Sequence, residues 1–131
     1  RESFRSSPIP RLRATYMESG NANPEDIIAS VEKGVYVDEF SNGQVKIGEG
    51  DFTFFVKSGY LIENGKLTMP VKDINVIGNG PQALKDIIAV GNDCKLDDSA
   101  WTCGKGQSVP VCCGMPTVLV NNLTVGGEEN A

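Results

Sequence analysis

Apolar and polar positions change period several times along this 131-residue chain, and each change marks an element. Residues 1–22 carry no period at all, and Pro8-Ile9-Pro10 excludes a helix, so an extended N-terminal arm is expected there. A helix follows. Asn23 is placed to cap it, Pro24 suits its first position, and Glu25 and Asp26 complement the positive end of its dipole. Ile27, Ile28 and Val31 form one apolar stripe and Gly34 offers a left-handed stop, which predicts a helix of about ten residues packed on a sheet.

Alternation of period two then takes over. Val35-Tyr36-Val37 leads to an expected turn at Ser41-Asn42-Gly43, after which Val45 and Ile47 alternate with Gln44 and Lys46. Phe52, Phe54, Phe55 and Val56 predict a strand over residues 51–56 with little exposed surface. Tyr60-Leu61-Ile62 runs into Glu63-Asn64-Gly65-Lys66, whose Asn-Gly pair predicts a type I′ hairpin, and the return strand sets Leu67, Met69 and Val71 on one face. Ile74, Val76 and Ile77 predict another short strand.

A second helix is expected from Pro81, with Leu84, Ile87 and Ile88 on one face and Gly91 at its end. Residues 92–107 lack periodicity and read as a loop. Val109 and Val111, then Val118 and Val120, predict two last strands separated by Gly114-Met115-Pro116. The resulting class is α+β: one mostly antiparallel β-sheet domain over residues 1–131 with two short helices.

Composition narrows the function. Hydrophobic residues make up 40% of the chain and charged residues 22%, values of an ordinary globular domain. At this length roughly two-thirds of the unfolded surface can be buried, enough for a core. The net charge of −5 argues against nucleic acid as a partner. Arg1, Arg5, Arg11 and Arg13 are the one basic cluster and read as a solvated lead-in segment. No apolar run reaches the length of a membrane span, so no membrane partner is expected. A start at Arg1-Glu2-Ser3, without Met, reads as the interior of a longer polypeptide.

With no histidine, the chain by itself builds neither a Ser-His-Asp triad nor a histidine metal site. Its cysteines are Cys94, Cys103, Cys112 and Cys113. Vicinal residues of a strand face opposite ways, which makes Cys112 and Cys113 poor disulfide partners, and the spacing of a secreted disulfide scaffold is missing. A reducing cytoplasm is the expected compartment.

Three stretches carry possible chemistry. Gly78-Asn79-Gly80-Pro81-Gln82-Ala83 after a strand has the order of a dinucleotide-binding turn, with Asp97 and Asp98 downstream. Pro81 removes an N–H from that turn and no second parallel strand is evident, so a tightly packed helix start is the better reading. Asn122-Leu123-Thr124 fits a glycosylation acceptor, a common chance match without other signs of secretion. Most loaded is Cys103-Gly104-Lys105-Gly106-Gln107-Ser108-Val109-Pro110-Val111, a glycine-rich loop entering a strand with a thiol beside a lysine. An adjacent ammonium favours thiolate, the form that binds metal or attacks carbon. From the residues alone Cys103 reads either as a buried structural cysteine or as such a thiolate. The spacing of the four cysteines does not match a zinc knuckle.

This stretch, with Gly114, Pro116 and Leu123-Thr124-Val125-Gly126-Gly127, resembles the C-terminal signature of the TldD family, proteins also labelled modulators of DNA gyrase. Ser7-Pro8-Ile9-Pro10-Arg11, Thr15-Tyr16, Gly34-Val35-Tyr36, Gly43-Gln44-Val45, Gly50-Asp51-Phe52, Glu63-Asn64-Gly65 and Gly91-Asn92-Asp93 resemble family landmarks in the family's order. The resemblance implies the C-terminal domain of a cytoplasmic zinc metallopeptidase acting on peptides or unfolded polypeptides. It implies zinc held by two histidines of an H-E-x-x-x-H helix, absent from this chain, and by Cys103, with the helix glutamate as general base. By the same resemblance the chain alone is inactive, and the partners are the rest of the same protein and a TldE/PmbA-like subunit or a second copy. Cys112-Cys113 stands where relatives carry glycine and an aliphatic residue. The alternative is a non-catalytic scaffold like the sister subunit TldE, which shapes a substrate channel or a dimer interface.

Overall fold

The computed structural model describes residues 1–97 and 101–127. In chain order the elements are β1 (Ala14–Tyr16), α1 (Pro24–Ala29), β2 (Lys33–Val45), β3 (Asp51–Glu63), β4 (Lys66–Val71), β5 (Ile74–Asn79) and α2 (Gly80–Lys85). They are followed by β6 (Ile87–Val90), β7 (Lys95–Leu96), β8 (Trp101–Gly104), β9 (Ser108–Met115), β10 (Val118–Val120) and β11 (Thr124–Gly126). The fold is α+β and mostly antiparallel, as the periodicity predicted.

A five-stranded sheet runs β11-β5-β3-β2, with β4 added to the far half of β3. Residues 51–56 of β3 pair with β5 and residues 59–63 with β4. The two strands expected over residues 51–62 are thus one long strand. The turn expected at Ser41-Asn42-Gly43 lies inside β2. There the Phe54 ring of β3 lies against Gly43, where a Cβ would collide with it, so this glycine marks a close ring contact rather than a bend. The chain reverses five residues later, where Lys46 N–H donates to the Asp51 carbonyl and Gly50 N–H to the Lys46 carbonyl. The Asn64-Gly65 hairpin forms as expected, with φ of 49° and 74°.

Both helices are shorter than the pattern predicts. Asn23 caps α1, its side-chain oxygen accepting from Glu25 N–H at 2.9 Å. The helix ends at Ala29 because Gly65 and Asn64 N–H take the carbonyls of Val31 and Glu32, at 2.8 and 2.7 Å. Gly34, the expected stop, is a strand residue paired with Ile62. The second helix ends at Lys85. Residues 87–90, expected to continue it, form β6 antiparallel to β10. Ile87, Ile88 and Val90 are β-branched and suit a strand, and of the expected helical face Leu84 and Ile88 are both 65% exposed while only Ile87 is half-buried. Because β6 and β5 lie in different sheets, the parallel crossover of a dinucleotide fold is not built. Asp98 lies outside the described residues.

The core is sparse: Ile27, Val56, Ile62, Val76 and Val109 are its buried hydrophobic side chains. A folded monomer of this mass exposes about 6,700 Å² by the usual scaling. This chain exposes 9626 Å². The length allows a fuller core than the chain builds, and much of its apolar surface stays open. Among the described residues no helix is long and apolar enough to cross a membrane.

Candidate metal-ligand site around Cys103

The region expected to be a loop, residues 92–107, contains β7 and β8, and both lie on β9. β8 and β9 form a hairpin in which Cys103 faces Val109 and Gly104 faces Ser108. Three residues close it. Gly106 takes φ of 68°, a value that favours glycine, and its N–H donates to the Gly104 carbonyl at 2.8 Å. Val109 is buried and Cys103 half-buried, so the sheet holds the cysteine from below and leaves its other side open. A hollow of about 440 Å³ adjoins it, with Leu12, Arg13, Trp101, Thr102, Cys112 and Cys113 also in its wall.

What fastens this hairpin is the N-terminal arm. Arg11 Nη1 donates to the carbonyl of Cys103 at 2.7 Å and to that of Gln107 at 3.3 Å, reaching both ends of the turn. Gln107 accepts from Glu2 N–H at 3.1 Å and donates to the Ser7 carbonyl at 2.8 Å. Arg13 Nε donates to the Pro110 carbonyl at 3.2 Å, and Cys112 N–H to the Arg13 carbonyl at 2.8 Å. Residues 14–16 then join β9 as the parallel strand β1. The arm is extended, as its prolines predicted, and Arg1, Arg5 and Arg13 are exposed as expected, but Arg11 is half-buried, and both Arg11 and Arg13 bind backbone carbonyls. Lys105, read from sequence as the ammonium acting on the thiol, donates to the Pro10 carbonyl at 3.0 Å.

Register sorts the other cysteines. By the alternation of a strand the Cys112 side chain leaves β9 on the face opposite to Val109 and Cys103, although the residue also borders the hollow. Cys113 shares their face, but it lies four residues along β9 from Val109, which is about 13 Å at strand spacing. Metal–sulfur bonds span about 2.3 Å, so neither thiol joins Cys103 on one ion. Cys94 is tied elsewhere, its thiol donating to the Met17 carbonyl at 3.1 Å. All four cysteines are free thiols, and among the described residues no three of Cys, Asp, Glu or His come together as a metal site. Cys103 fits zinc as a single soft ligand on an open wall and does not complete a site.

Beside this hairpin, Asp93 locks the β6–β7 connection to the turn before β10. Its carboxylate accepts from Thr117 N–H at 2.9 Å and from the Thr117 hydroxyl at 2.7 Å. These bonds, the hydroxyl first, hold the Asp93 carboxyl below the usual carboxylate range. Gly91-Asn92-Asp93, a family landmark by resemblance, has a structural role here. Asn122, the expected chance glycosylation match, takes φ of 59° in the turn between β10 and β11, a conformation asparagine tolerates.

The described residues thus form a mostly antiparallel domain with one half-buried thiol, Cys103, on a pinned glycine-rich turn. Over residues 1–127 the chain matches the family described as the PmbA/TldA metallopeptidase C-terminal domain, and it belongs to that family. It is 45% identical over 128 residues to the protein named metalloprotease TldD homolog of Buchnera aphidicola, covering 97% of this chain and 26% of that protein. The zinc metalloprotease TldD homolog of Saccharolobus solfataricus is 32% identical over 127 residues, 96% of this chain and 28% of that protein. A candidate modulator of a DNA gyrase from Thermotoga maritima superposes with a TM-score of 0.69 at 28% identity, over 86% of this chain and 24% of that one. The chain thus spans about a quarter of the length of the curated relatives it matches.

Proposed function

We propose that this domain supplies the thiolate ligand, Cys103, to the zinc of a metallopeptidase that hydrolyses peptides or unfolded polypeptides. The observation that carries the reading is the placing of Cys103: half-buried over Val109, on a turn whose two ends are held by one guanidinium, beside an open hollow of about 440 Å³. A thiolate offsets one of the metal's two charges and leaves room for three further positions. Two histidines and a general-base glutamate belong, on this reading, to an H-E-x-x-x-H helix elsewhere in the whole protein. Bound there, zinc supplies Lewis-acid chemistry, which lowers the pKa of water toward neutrality and polarises a carbonyl.

This chain's own residues hold the ligand and keep space beside it. A Cβ at Gly104 or Gly106 meets nothing within 4 Å, so the turn leaves room for an incoming polypeptide backbone. On this reading the working partners are peptide or unfolded polypeptide, the rest of the protein, and a TldE/PmbA-like subunit or a second copy. Free thiols suit a cytoplasmic setting. The sparse core favours a second reading, a scaffold whose open sheet faces serve contact alone. The two readings part in the whole protein. Cys103→Ser is expected to lose most of its zinc and its peptidase activity; stoichiometric zinc with unchanged activity would leave the scaffold.

A further inference from the structure

Among the described residues, Arg11 is the one whose side chain reaches from outside the Cys103 turn to hydrogen-bond its backbone. Its Nη1 spans the carbonyls of Cys103 and Gln107. Its Nε and Nη2 are buried and meet no acceptor. Those two atoms form one edge of the guanidinium fork, the edge that ordinarily pairs with a carboxylate. A guanidinium taken from water with one edge unsatisfied is unfavourable to folding, since charged donors lose more in desolvation than carbonyls return. An apolar side chain of similar length would fill the same space without that penalty.

The turn itself explains why the guanidinium is nonetheless there. Between Cys103 and Ser108 the chain reads Gly-Lys-Gly-Gln, and neither glycine has a side chain to pack. Such a segment keeps many conformations open unless its backbone is tied, because glycine has the most conformational freedom to lose. One rigid planar cation bonded to the carbonyls at both ends removes that freedom at the residue whose thiol has to point one way. A lysine, with a single point charge on a flexible stem, does not hold two carbonyls in one plane.

We propose that Arg11 is a positioning residue for the Cys103 thiol, held at a net loss of domain stability so that the turn is set before a metal or substrate arrives. The idea rests on the reading of Cys103 as a ligand for its purpose, but its geometry is tested without metal. In the metal-free whole protein, Arg11→Met and Arg11→Lys are compared with the parent by thermal unfolding and by site-resolved alkylation with iodoacetamide, the three other cysteines serving as internal controls. Expected for Arg11→Met is an unfolding temperature equal to the parent's or higher, with the alkylation rate of Cys103 changed at least threefold and those of Cys94, Cys112 and Cys113 unchanged. Arg11→Lys is expected to change the Cys103 rate in the same direction. Zinc dissociation constants, read by competition with a chromophoric chelator, should weaken at least tenfold in both variants.

An unchanged Cys103 alkylation rate overturns the proposal. So does a lowered unfolding temperature with all four thiols altered together, which makes Arg11 a structural residue only. If Cys103→Ser keeps its zinc while Arg11→Met still changes Cys103 alkylation alone, the positioning role stands and the ligand reading of Cys103 falls.

Discussion

The five-stranded sheet and the Cys103 hairpin sit in one domain and are held by opposite means. In the sheet, the Phe54 ring meets those of Phe40 and Phe52 at tilted angles, with centroid distances of 5.5 and 5.4 Å, and Val56, Ile62 and Val76 are buried. Apolar area removed from water does the holding, at about 25 cal/mol per Å². Around the hairpin, Val109 is the buried hydrophobic side chain, and the joining is done by hydrogen bonds from the arm to backbone carbonyls. Each such bond contributes about 1 kcal/mol net where the donor group is otherwise satisfied, which the Arg11 guanidinium is not, and each acts only in one geometry. An apolar sheet tolerates small shifts; a polar clamp does not. The difference teaches that the region proposed here for chemistry is the one whose position is set by direction rather than by area.

Three perturbations test how separate the two regions are. The largest is Ile62→Ala, which empties a buried site shared by β2, β3 and β4 and is expected to lower stability by about 3 kcal/mol in denaturant unfolding. The alkylation rate of Cys103 should stay at the parent's value below the transition; a parallel change there joins the two regions into one unit.

Next comes Gly65→Ala. Gly65 has φ of 74°, and an added Cβ lies 2.5 Å from the Ala29 carbonyl oxygen. About 2 kcal/mol should be lost from the strain and the displaced α1, seen as a lower unfolding midpoint. Hydrogen exchange should quicken at Val31 to Lys33 and leave Thr102 and Val109 as they were.

The smallest effect is the acid response of Asp93. Its folded pKa lies below the ordinary value of 3.8, so its contribution to stability is complete above that value and is lost as pH falls through the folded pKa. Asp93→Asn should therefore weaken the domain only slightly near neutrality, since solvent screens this exposed carboxylate. That difference should vanish at the acid end of the titration. Its mark should be faster exchange at Thr117 and Gly91, whose N–H groups depend on this junction, with the phenylalanine cluster unaffected.

Local chemistry made a large part of the fold legible. Asn23-Pro24 announced the start of α1, and Asn64-Gly65 announced its hairpin, because capping and positive φ depend on a few adjacent residues. Asn42-Gly43 misled, since the Phe54 ring that occupies the glycine comes from the neighbouring strand. Leu84, Ile87 and Ile88 misled as well: their spacing suits a helix, but the partner that draws residues 87–90 into a strand is β10, some thirty positions away.

The amino-acid sequence by itself determined the class of the fold, the family landmarks and Cys103 as the residue to watch, all of which rest on residue type and near spacing. Only the tertiary structure decided what stands around Cys103. Arg11 meets it across 92 positions, Cys112 turns to the opposite face, and Cys113 lies too far along the strand. Register and long-range hydrogen bonds are properties of two segments at once, and neither segment alone carries them.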